Sequence, residues 1–124
     1  MAKKIIATTN APGAIGPYSQ AVQIGNLVYT SGQLGMTTAA EMPATIEEQT
    51  KLSLENVKAI LAEAGTDMSK VVKTLVFIKD MNDFGAMNGV YQQFFTENFP
   101  ARSCVEVARL PKDALVEIEV IAEV

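Results

Sequence analysis

The chain has 124 residues, of which 48% are hydrophobic and 19% are charged, and its net charge at pH 7 is −4. This size and balance are typical of globular proteins and predict a single domain over residues 1–124. An acidic chain lacks the basic surface that binds a phosphate backbone, so no nucleic-acid partner is expected. The sequence contains no histidine, which excludes Ser-His-Asp and Cys-His catalysis and any histidine-ligated zinc site.

The only cysteine, Cys104, cannot form an intrachain disulfide, and this favours a reducing compartment. The apolar run Ile5-Ile6-Ala7 is too short for a signal-peptide core, and the sequence has no apolar stretch of roughly 18 residues that would cross a membrane. We therefore expect a cytoplasmic protein without a membrane partner. A single cysteine also excludes four-cysteine metal sites, and neither glycine-rich phosphate-binding motif is present.

The N-terminal third predicts an irregular arm followed by a β-hairpin. Residues 8–17 hold two prolines and two glycines, which is typical of a segment without regular structure. Residues 18–24 and 27–33 predict two strands joined by a turn at Gly25-Asn26. Residues 35–44 then predict a loop.

A long amphipathic helix is predicted over residues 46–64. Thr45 and Glu48 form a capping box at its start, and apolar residues then recur at spacings of three and four. Gly65 is the expected C-terminal stop.

The second half predicts a further helix surrounded by strands. This helix is expected to begin at a cap formed by Asn82 or Asp83 and to reach about residue 98. Strands are predicted over residues 71–80, 101–109 and 114–124. The order β-β-α-β-α-β-β predicts an α+β two-layer sandwich with both helices on one face of the sheet.

The strand within residues 71–79 is apolar on both faces. One face is expected to hold Val71, Leu75 and Phe77, and the other Val72, Val76 and Ile78. Two helices cover only one of these faces, so a second copy of the chain is the simplest cover for the other. The sequence therefore predicts a homo-oligomer.

Strand alternation places Arg102, Cys104 and Glu106 on one face of their strand. In the last strand, Glu117 and Glu119 share the polar face. If these two strands pair as a hairpin, an arginine, a thiol and several carboxylates would line one surface.

Each of these side chains has a structural and a functional interpretation. Arg102 is either a bidentate carboxylate anchor or the partner of Glu106, Glu117 or Glu119 in an ion pair, within one chain or between subunits. Cys104 is either a small buried side chain or, less plausibly without a histidine, a nucleophile. Arg109 precedes a turn and is expected to be a solvated or structural charge.

Three further positions carry open alternatives. Glu117 is either an ordinary strand carboxylate or a general acid/base that positions a water. Tyr18 is either a packed edge aromatic or a hydroxyl that orients a ligand. In Ser31-Gly32, the glycine indicates a bulge or the close approach of another group.

Five stretches together resemble one known family. They are GPYSQAV, VYTSGQ, TLVFIKDMNDFGAMN, FPARSCVEVARLP and VEIEVIAEV, and they cover nearly the whole chain in order. The chain resembles the Rid family of YjgF type, and within it the RidA enamine/imine deaminases. The resemblance implies a chorismate-mutase-like α+β fold with a mixed sheet, assembled as a homotrimer with its sites between subunits.

The resemblance also implies a reaction and the residues that carry it. Such enzymes hydrolyse 2-aminoacrylate, 2-iminopropanoate and 2-iminobutanoate to 2-keto acids and ammonia without a cofactor or metal. Arg102 would bind the substrate carboxylate, and Glu117, with Tyr18, would direct the attacking water. The remaining positions expected to contact substrate are Cys104 through its backbone, Ser31, Gly32 and Asn88.

Two segments depart from the family pattern. After Ser-Gly-Gln, members often carry a proline and a longer turn, whereas this chain has LGMTTAAEM. The link after Phe95 is also shorter than in many members. Both segments are expected to border the cleft and to bear on substrate range.

Two other functions are compatible with the same residues. A trimer that binds 2-keto acids without turnover would share Arg102 but would not need proton chemistry at Glu117. Ribonuclease or chaperone-like activity is a third interpretation known in the family, and the acidic balance and missing histidine argue against a nuclease.

Overall fold

A computed structural model describes residues 2–124 as a mixed seven-stranded sheet with two helices packed on one face. Its elements are β1 (Lys4–Ile6), β2 (Ala21–Ile24), β3 (Leu27–Thr30), β4 (Gln33–Leu34), α1 (Ile46–Glu63), β5 (Val71–Ile78), α2 (Phe84–Phe94), β6 (Ala101–Glu106) and β7 (Val116–Glu123). The strand order is β1-β2-β3-β7-β5-β6, and β4 also pairs with β7. The predicted α+β class, with both helices on one side, is confirmed.

The N-terminal half contains more strands than predicted. β1 was not predicted, and it pairs antiparallel with β2, the strand expected over residues 18–24. The strand expected over residues 27–33 is interrupted at Ser31-Gly32, which divides it into β3 and β4. Both pieces pair with β7, so the interruption lies directly beside the last strand.

α1 begins and ends as its local sequence predicts. The Thr45 hydroxyl oxygen accepts from the backbone N–H of Glu48 at 3.2 Å and donates to the Glu48 carboxylate at 3.0 Å. At the other end Gly65 has φ 84°, and the N–H groups of Gly65 and Thr66 bond back to carbonyls of the last turn. This left-handed cap favours glycine and stops the helix.

α2 follows Asp83, one of its two predicted caps, but ends earlier than predicted. Asp80 accepts from the N–H of Asn82 at 2.9 Å and caps a 3₁₀ turn, so the helix itself starts only at Phe84. It ends at Phe94 because Phe95 leaves helical geometry and turns its ring into the core against Tyr91, with ring centroids 4.7 Å apart. The predicted extension to residue 98 is therefore wrong.

A bulge in β5 changes part of the predicted alternation. The register with β7 shifts between Val71 and Lys73, so that Val71 is 5% exposed on the core face and Val72 is 42% exposed. The expected grouping of Val71 with Leu75 and Phe77 is therefore wrong. Leu75 and Phe77 themselves lie half-buried on the face that the helices leave open, which keeps the strand apolar on both sides.

The predicted hairpin of the last two strands is also wrong. β6 pairs in parallel with β5, and β5 lies between β6 and β7. α2 is the crossover that returns the chain beside β5, as parallel strands require. The connection from Val107 to Leu115 then passes the end of β5, where the Lys79 N–H donates to the Leu115 carbonyl, and places β7 on its other side.

Candidate active site

The Glu117 cleft is a cavity of about 520 Å³ beside the interruption between β3 and β4. Four of the predicted site residues line it, namely Tyr18, Ser31, Gly32 and Glu117. Its other walls come from the arm, from β4 and the residues after it, and from the turn before β7, and they include Pro12, Gly13, Ile15, Leu34, Met36, Pro111 and Lys112. The sequence therefore brings these four positions to one place by running the arm, the β3–β4 junction and β7 side by side.

Gly32 leaves room for the close approach of Glu117. A Cβ atom at position 32 would lie 2.7 Å from Cδ of Glu117, which is shorter than a van der Waals contact. Next to it, the Ser31 hydroxyl donates to the Ser19 carbonyl at 2.6 Å, and the Ser31 N–H donates to the Gln20 carbonyl. The missing side chain thus allows the Glu117 carboxylate to rest on backbone.

The carboxyl group of Glu117 is half-buried and has a shifted affinity for protons. Burial raises its pKa above the ordinary value, and the like charge of Glu119 raises it further. A carboxyl with a raised pKa exchanges protons more readily near neutral pH, as general acid/base catalysis requires.

Gln20 holds the arm, residues 8–17, against the sheet. No sequence motif predicts this role. Its side-chain oxygen accepts from the Thr8 N–H at 2.7 Å, and its amide nitrogen donates to the carbonyls of Thr8 and Pro12 at 3.1 and 2.8 Å. Gln20 is buried, so these bonds satisfy an amide that would otherwise be costly to bury. The arm wall of the Glu117 cleft depends on this side chain.

The Arg102 pocket is a second cavity, of about 410 Å³, at the β6 edge of the sheet. It is lined by Asn88, Tyr91, Gln92, Phe99, Pro100 and Arg102. Nη1 of Arg102 donates to Oδ1 of Asn88 at 2.6 Å, and Cζ lies 4.7 Å from the ring centroid of Tyr91 and 5.4 Å from that of Phe84. Asn88, one of the positions expected to contact substrate, therefore lies beside Arg102, and the aromatic contacts were not predicted.

Arg102 makes no ion pair within the part of the chain that the structure describes. The ion pairs there are Lys51–Glu55 and Arg109–Asp113, both on the surface. The alternative in which Arg102 pairs with a glutamate of its own chain is therefore wrong, and Arg109 is a structural charge as predicted. The positive charge of Arg102 remains available to an anionic ligand.

Cys104 lies next to Arg102 along β6 but lines neither cavity. Its side chain is half-buried and packs against the hydrophobic core. Burial raises the pKa of the thiol, and the nearby Arg102 charge only partly opposes this. The thiol is consequently protonated at neutral pH, which argues against a nucleophilic role.

The two cavities lie on opposite faces of the sheet. Arg102 pairs in register with Thr74, which is fully buried under the helices, whereas Glu117 pairs with Phe77 on the open face. The structure brings Arg102 together with Asn88, and Glu117 together with Tyr18, Ser31 and Gly32. One chain does not bring these two groups together.

The two segments that depart from the family pattern each border one cavity. Leu34 and Met36 line the Glu117 cleft, and Phe99 and Pro100 line the Arg102 pocket. Within residues 2–124, no group of three or more histidine, cysteine or acidic side chains is arranged to hold a metal ion. No helix of this described portion is long and apolar enough to cross a membrane.

A family model described as endoribonuclease L-PSP matches residues 8–124. The chain belongs to this family, the Rid family of YjgF type. The resemblance inferred from its five sequence stretches is therefore confirmed.

Similar proteins of this Rid family match over almost their whole length. The 2-iminobutanoate/2-iminopropanoate deaminase of Escherichia coli K12 is 56% identical over 123 residues, which are 96% of each chain. A RutC family protein of Pasteurella multocida is 58% identical over 124 residues, again 96% of each chain. The crystal structure of E. coli TdcF with bound serine superposes with a TM-score of 0.94 at 54% identity and covers 98% of both chains.

Proposed function

We propose that this Rid-family protein hydrolyses reactive enamines and imines to 2-keto acids and ammonia. The substrates are 2-aminoacrylate, 2-iminopropanoate and 2-iminobutanoate. The observation that carries the proposal is the 56% identity, over 96% of both chains, to an E. coli protein named for deamination of the two imines. The unpaired Arg102 and the Glu117 carboxyl supply groups suited to this chemistry.

Arg102 binds the carboxylate of the substrate. Its guanidinium presents parallel N–H donors that match the two oxygens of a carboxylate. Its charge has no carboxylate partner in the described part of the chain, so no ion pair within one subunit has to break when a ligand binds. The held carboxylate fixes the distance and direction of the adjacent C=N carbon, which favours attack by a positioned water.

Glu117 activates that water, and the Tyr18 hydroxyl orients it. The enamine first takes a proton from solvent on its methylene carbon and loses an N–H proton to solvent, which gives the imine. The water oxygen then forms a bond to the imine carbon, the C=N electron pair moves to nitrogen, and Glu117 accepts a proton from the water. Glu117 returns this proton to the nitrogen, which gives a carbinolamine. The hydroxyl proton then moves through Glu117 to the same nitrogen, C=O forms as the C–N bond breaks, and ammonia leaves.

A homotrimer with sites between subunits completes the proposal. In one chain Arg102 and Glu117 lie on opposite faces of the sheet. A site that contains both residues therefore needs the open face of one subunit to meet the β6 edge of another, which supports the trimer. The apolar open face, with Leu75, Phe77 and Val105, favours burial by a copy of the chain. The reaction needs no cofactor, and the single thiol is consistent with a cytoplasmic location.

The proposal is tested by generating 2-aminoacrylate with a serine dehydratase and following pyruvate formation. We expect the protein to accelerate pyruvate release and Arg102→Ala to lose nearly all of this acceleration while the assembly persists. Arg109→Ala is the matched control, because it removes the other arginine, which forms an exposed pair with Asp113. Equal activity of Arg102→Ala and the parent protein would refute the role of Arg102.

A small-ligand binding protein without turnover is the alternative. The serine bound in the E. coli TdcF crystal structure favours a site for a small amino or keto acid. Binding of 2-oxobutanoate together with no acceleration of imine decay would establish this alternative and refute the deaminase.

A further inference from the structure

We propose that Tyr91, held by Thr74, is the positioning residue for the Arg102 guanidinium. This inference rests on the proposed function in one respect only, namely that Arg102 binds the substrate carboxylate. Tyr91 itself acts through Arg102, because its ring lies under the guanidinium and its hydroxyl is hydrogen-bonded to the buried Thr74.

The first step is the anchoring of the Tyr91 ring. The hydroxyl groups of Tyr91 and Thr74 are hydrogen-bonded at 2.8 Å, and Thr74 is 0% exposed. Thr74 and Arg102 are register partners on β5 and β6, so their side chains leave the sheet on the same face. Through Thr74, β5 thus fixes the Tyr91 ring on which the Arg102 guanidinium lies.

The second step is the spacing on α2. Phe84, Asn88 and Tyr91 follow one another at intervals of four and three residues, so they lie along one side of the helix. Arg102 contacts all three, with its guanidinium near the two rings and its Nη1 atom on the amide oxygen between them. This side of the helix forms a shelf made of residues 84, 88 and 91.

The third step is electrostatic. An aromatic face attracts the guanidinium cation through its quadrupole without accepting a conventional N–H hydrogen bond, whereas a carboxylate would neutralise the charge and occupy two donors. Asn88 occupies one N–H of Nη1, and it is a neutral partner. The shelf therefore orients Arg102 and leaves its charge without a carboxylate partner in the described part of the chain.

The kinetic consequence follows from where the carboxylate sits. The substrate carboxylate is one bond away from the reacting carbon, and Arg102 binds it in the ground state as well as in the transition state. Loss of Arg102 orientation should therefore weaken binding and raise KM more than it lowers kcat. A purely structural role of Tyr91 would reduce stability without this selective effect.

The first test compares Tyr91→Leu, which removes the ring, with Tyr91→Phe, which keeps it. We expect Tyr91→Leu to raise both KM and the Kd for 2-oxobutanoate about tenfold, with kcat within about threefold, and Tyr91→Phe to stay within about threefold in all of them. Phe95→Leu is the matched control, since it removes a buried ring that contacts Tyr91 and does not line the Arg102 pocket. It should lose thermal stability but retain the parent Kd.

The second test observes Arg102 without any ligand. The chain has two arginines, so ¹⁵N NMR of the arginine side chains gives two Nε signals, and the exposed Arg109 serves as an internal reference. We expect Arg102 Nε to be rigid in the parent and in Tyr91→Phe, and mobile in Tyr91→Leu. If Tyr91→Leu does not fold, Phe84→Leu takes its place and should raise the Kd and the mobility of Arg102 in the same directions.

These readouts separate the inference from the proposed function. An unchanged Kd and a rigid Arg102 in Tyr91→Leu would overturn the inference, as would equal losses in Tyr91→Leu and Phe95→Leu. If the parent protein fails to accelerate imine hydrolysis, the proposed function falls, and the NMR comparison still decides whether Tyr91 positions Arg102.

Discussion

The Glu117 carboxylate lies against the backbone of Gly32, a residue without a side chain. Gly32 leaves room for it, and both burial and Glu119 raise its pKa. A raised pKa in the folded state means that the ionised form is disfavoured there, so Glu117 lowers stability at neutral pH relative to a neutral side chain. Such a cost at one buried acid is typical of a functional position.

The pH dependence of the rate should report this shift. We expect kcat/KM to rise with pH as Glu117 becomes an available base, with a midpoint above the ordinary glutamate value of 4.5. Glu119→Gln should lower this midpoint, because it removes a like charge that favours the protonated form. Glu117→Gln should reduce kcat more than the affinity for 2-oxobutanoate, and an unaltered pH profile in that variant would exclude Glu117 as the base.

The thiol of Cys104 should be dispensable. Its raised pKa keeps it protonated, and only its backbone is expected to contact the substrate. We therefore expect Cys104→Ser to retain most of the imine-hydrolysing activity, measured by pyruvate release at neutral pH. Complete loss of activity in a correctly assembled Cys104→Ser protein would restore the thiolate hypothesis.

At the scale of elements, α1 holds β4, the short strand that lines part of the Glu117 cleft. The Ser53 hydroxyl donates to the Gln33 carbonyl at 2.7 Å, and the Asn56 amide donates to the carbonyls of Leu34 and Met36. β4 has only two residues, so these side-chain bonds replace the longer ladder that normally holds a strand. The backbone of α1 also lies directly against Gly35.

Gly35→Ala should destabilise this contact. A Cβ at position 35 would lie 2.2 Å from the Gln49 carbonyl oxygen, and helix backbone has little freedom to withdraw. We expect a loss of about 1–3 kcal/mol in the free energy of unfolding, measured by urea denaturation. Gly85→Ala in α2 is the control, since a Cβ there meets nothing within 4 Å, and it should be neutral or stabilising by up to about 1 kcal/mol. Equal stability of Gly35→Ala and the parent would contradict the packing of α1 on β4.

The elements also show which features a sequence predicts and which it does not. α1 was predicted to within one residue because its cap, its periodicity and Gly65 are all local signals. The pairing of β6 depends on where α2 returns the chain, and the bulge near Val72 depends on the partner strand, so neither has a local signature. The aromatic contacts of Arg102 were missed for a similar reason, because the stripe containing Phe84 and Tyr91 is equally typical of a core.

At the scale of the whole molecule, the main constraint is that Arg102 and Glu117, the two residues proposed to act on the substrate, lie on opposite faces of the sheet. Strand alternation correctly separated the faces of β6 and β7, but the assumed hairpin placed Arg102 and Glu117 on one surface. With β5 between them, Arg102 faces the helices and Glu117 faces the open side. A reaction that uses both residues on one substrate therefore requires two copies of the chain.

Mixed assemblies provide the sharpest test of this requirement. Arg102→Ala and Glu117→Gln should each be inactive alone, and co-expression in equal amounts should restore activity. In a randomly assembled trimer, half of the subunits keep the arginine and half keep the glutamate, so about one quarter of the sites contain both. We expect pyruvate release at about a quarter of the parent rate. Mixing Arg102→Ala with the double variant Arg102→Ala/Glu117→Gln should restore nothing, because neither supplies the arginine. If the first mixture also stays inactive while forming mixed trimers, the site does not combine Arg102 and Glu117 from different subunits.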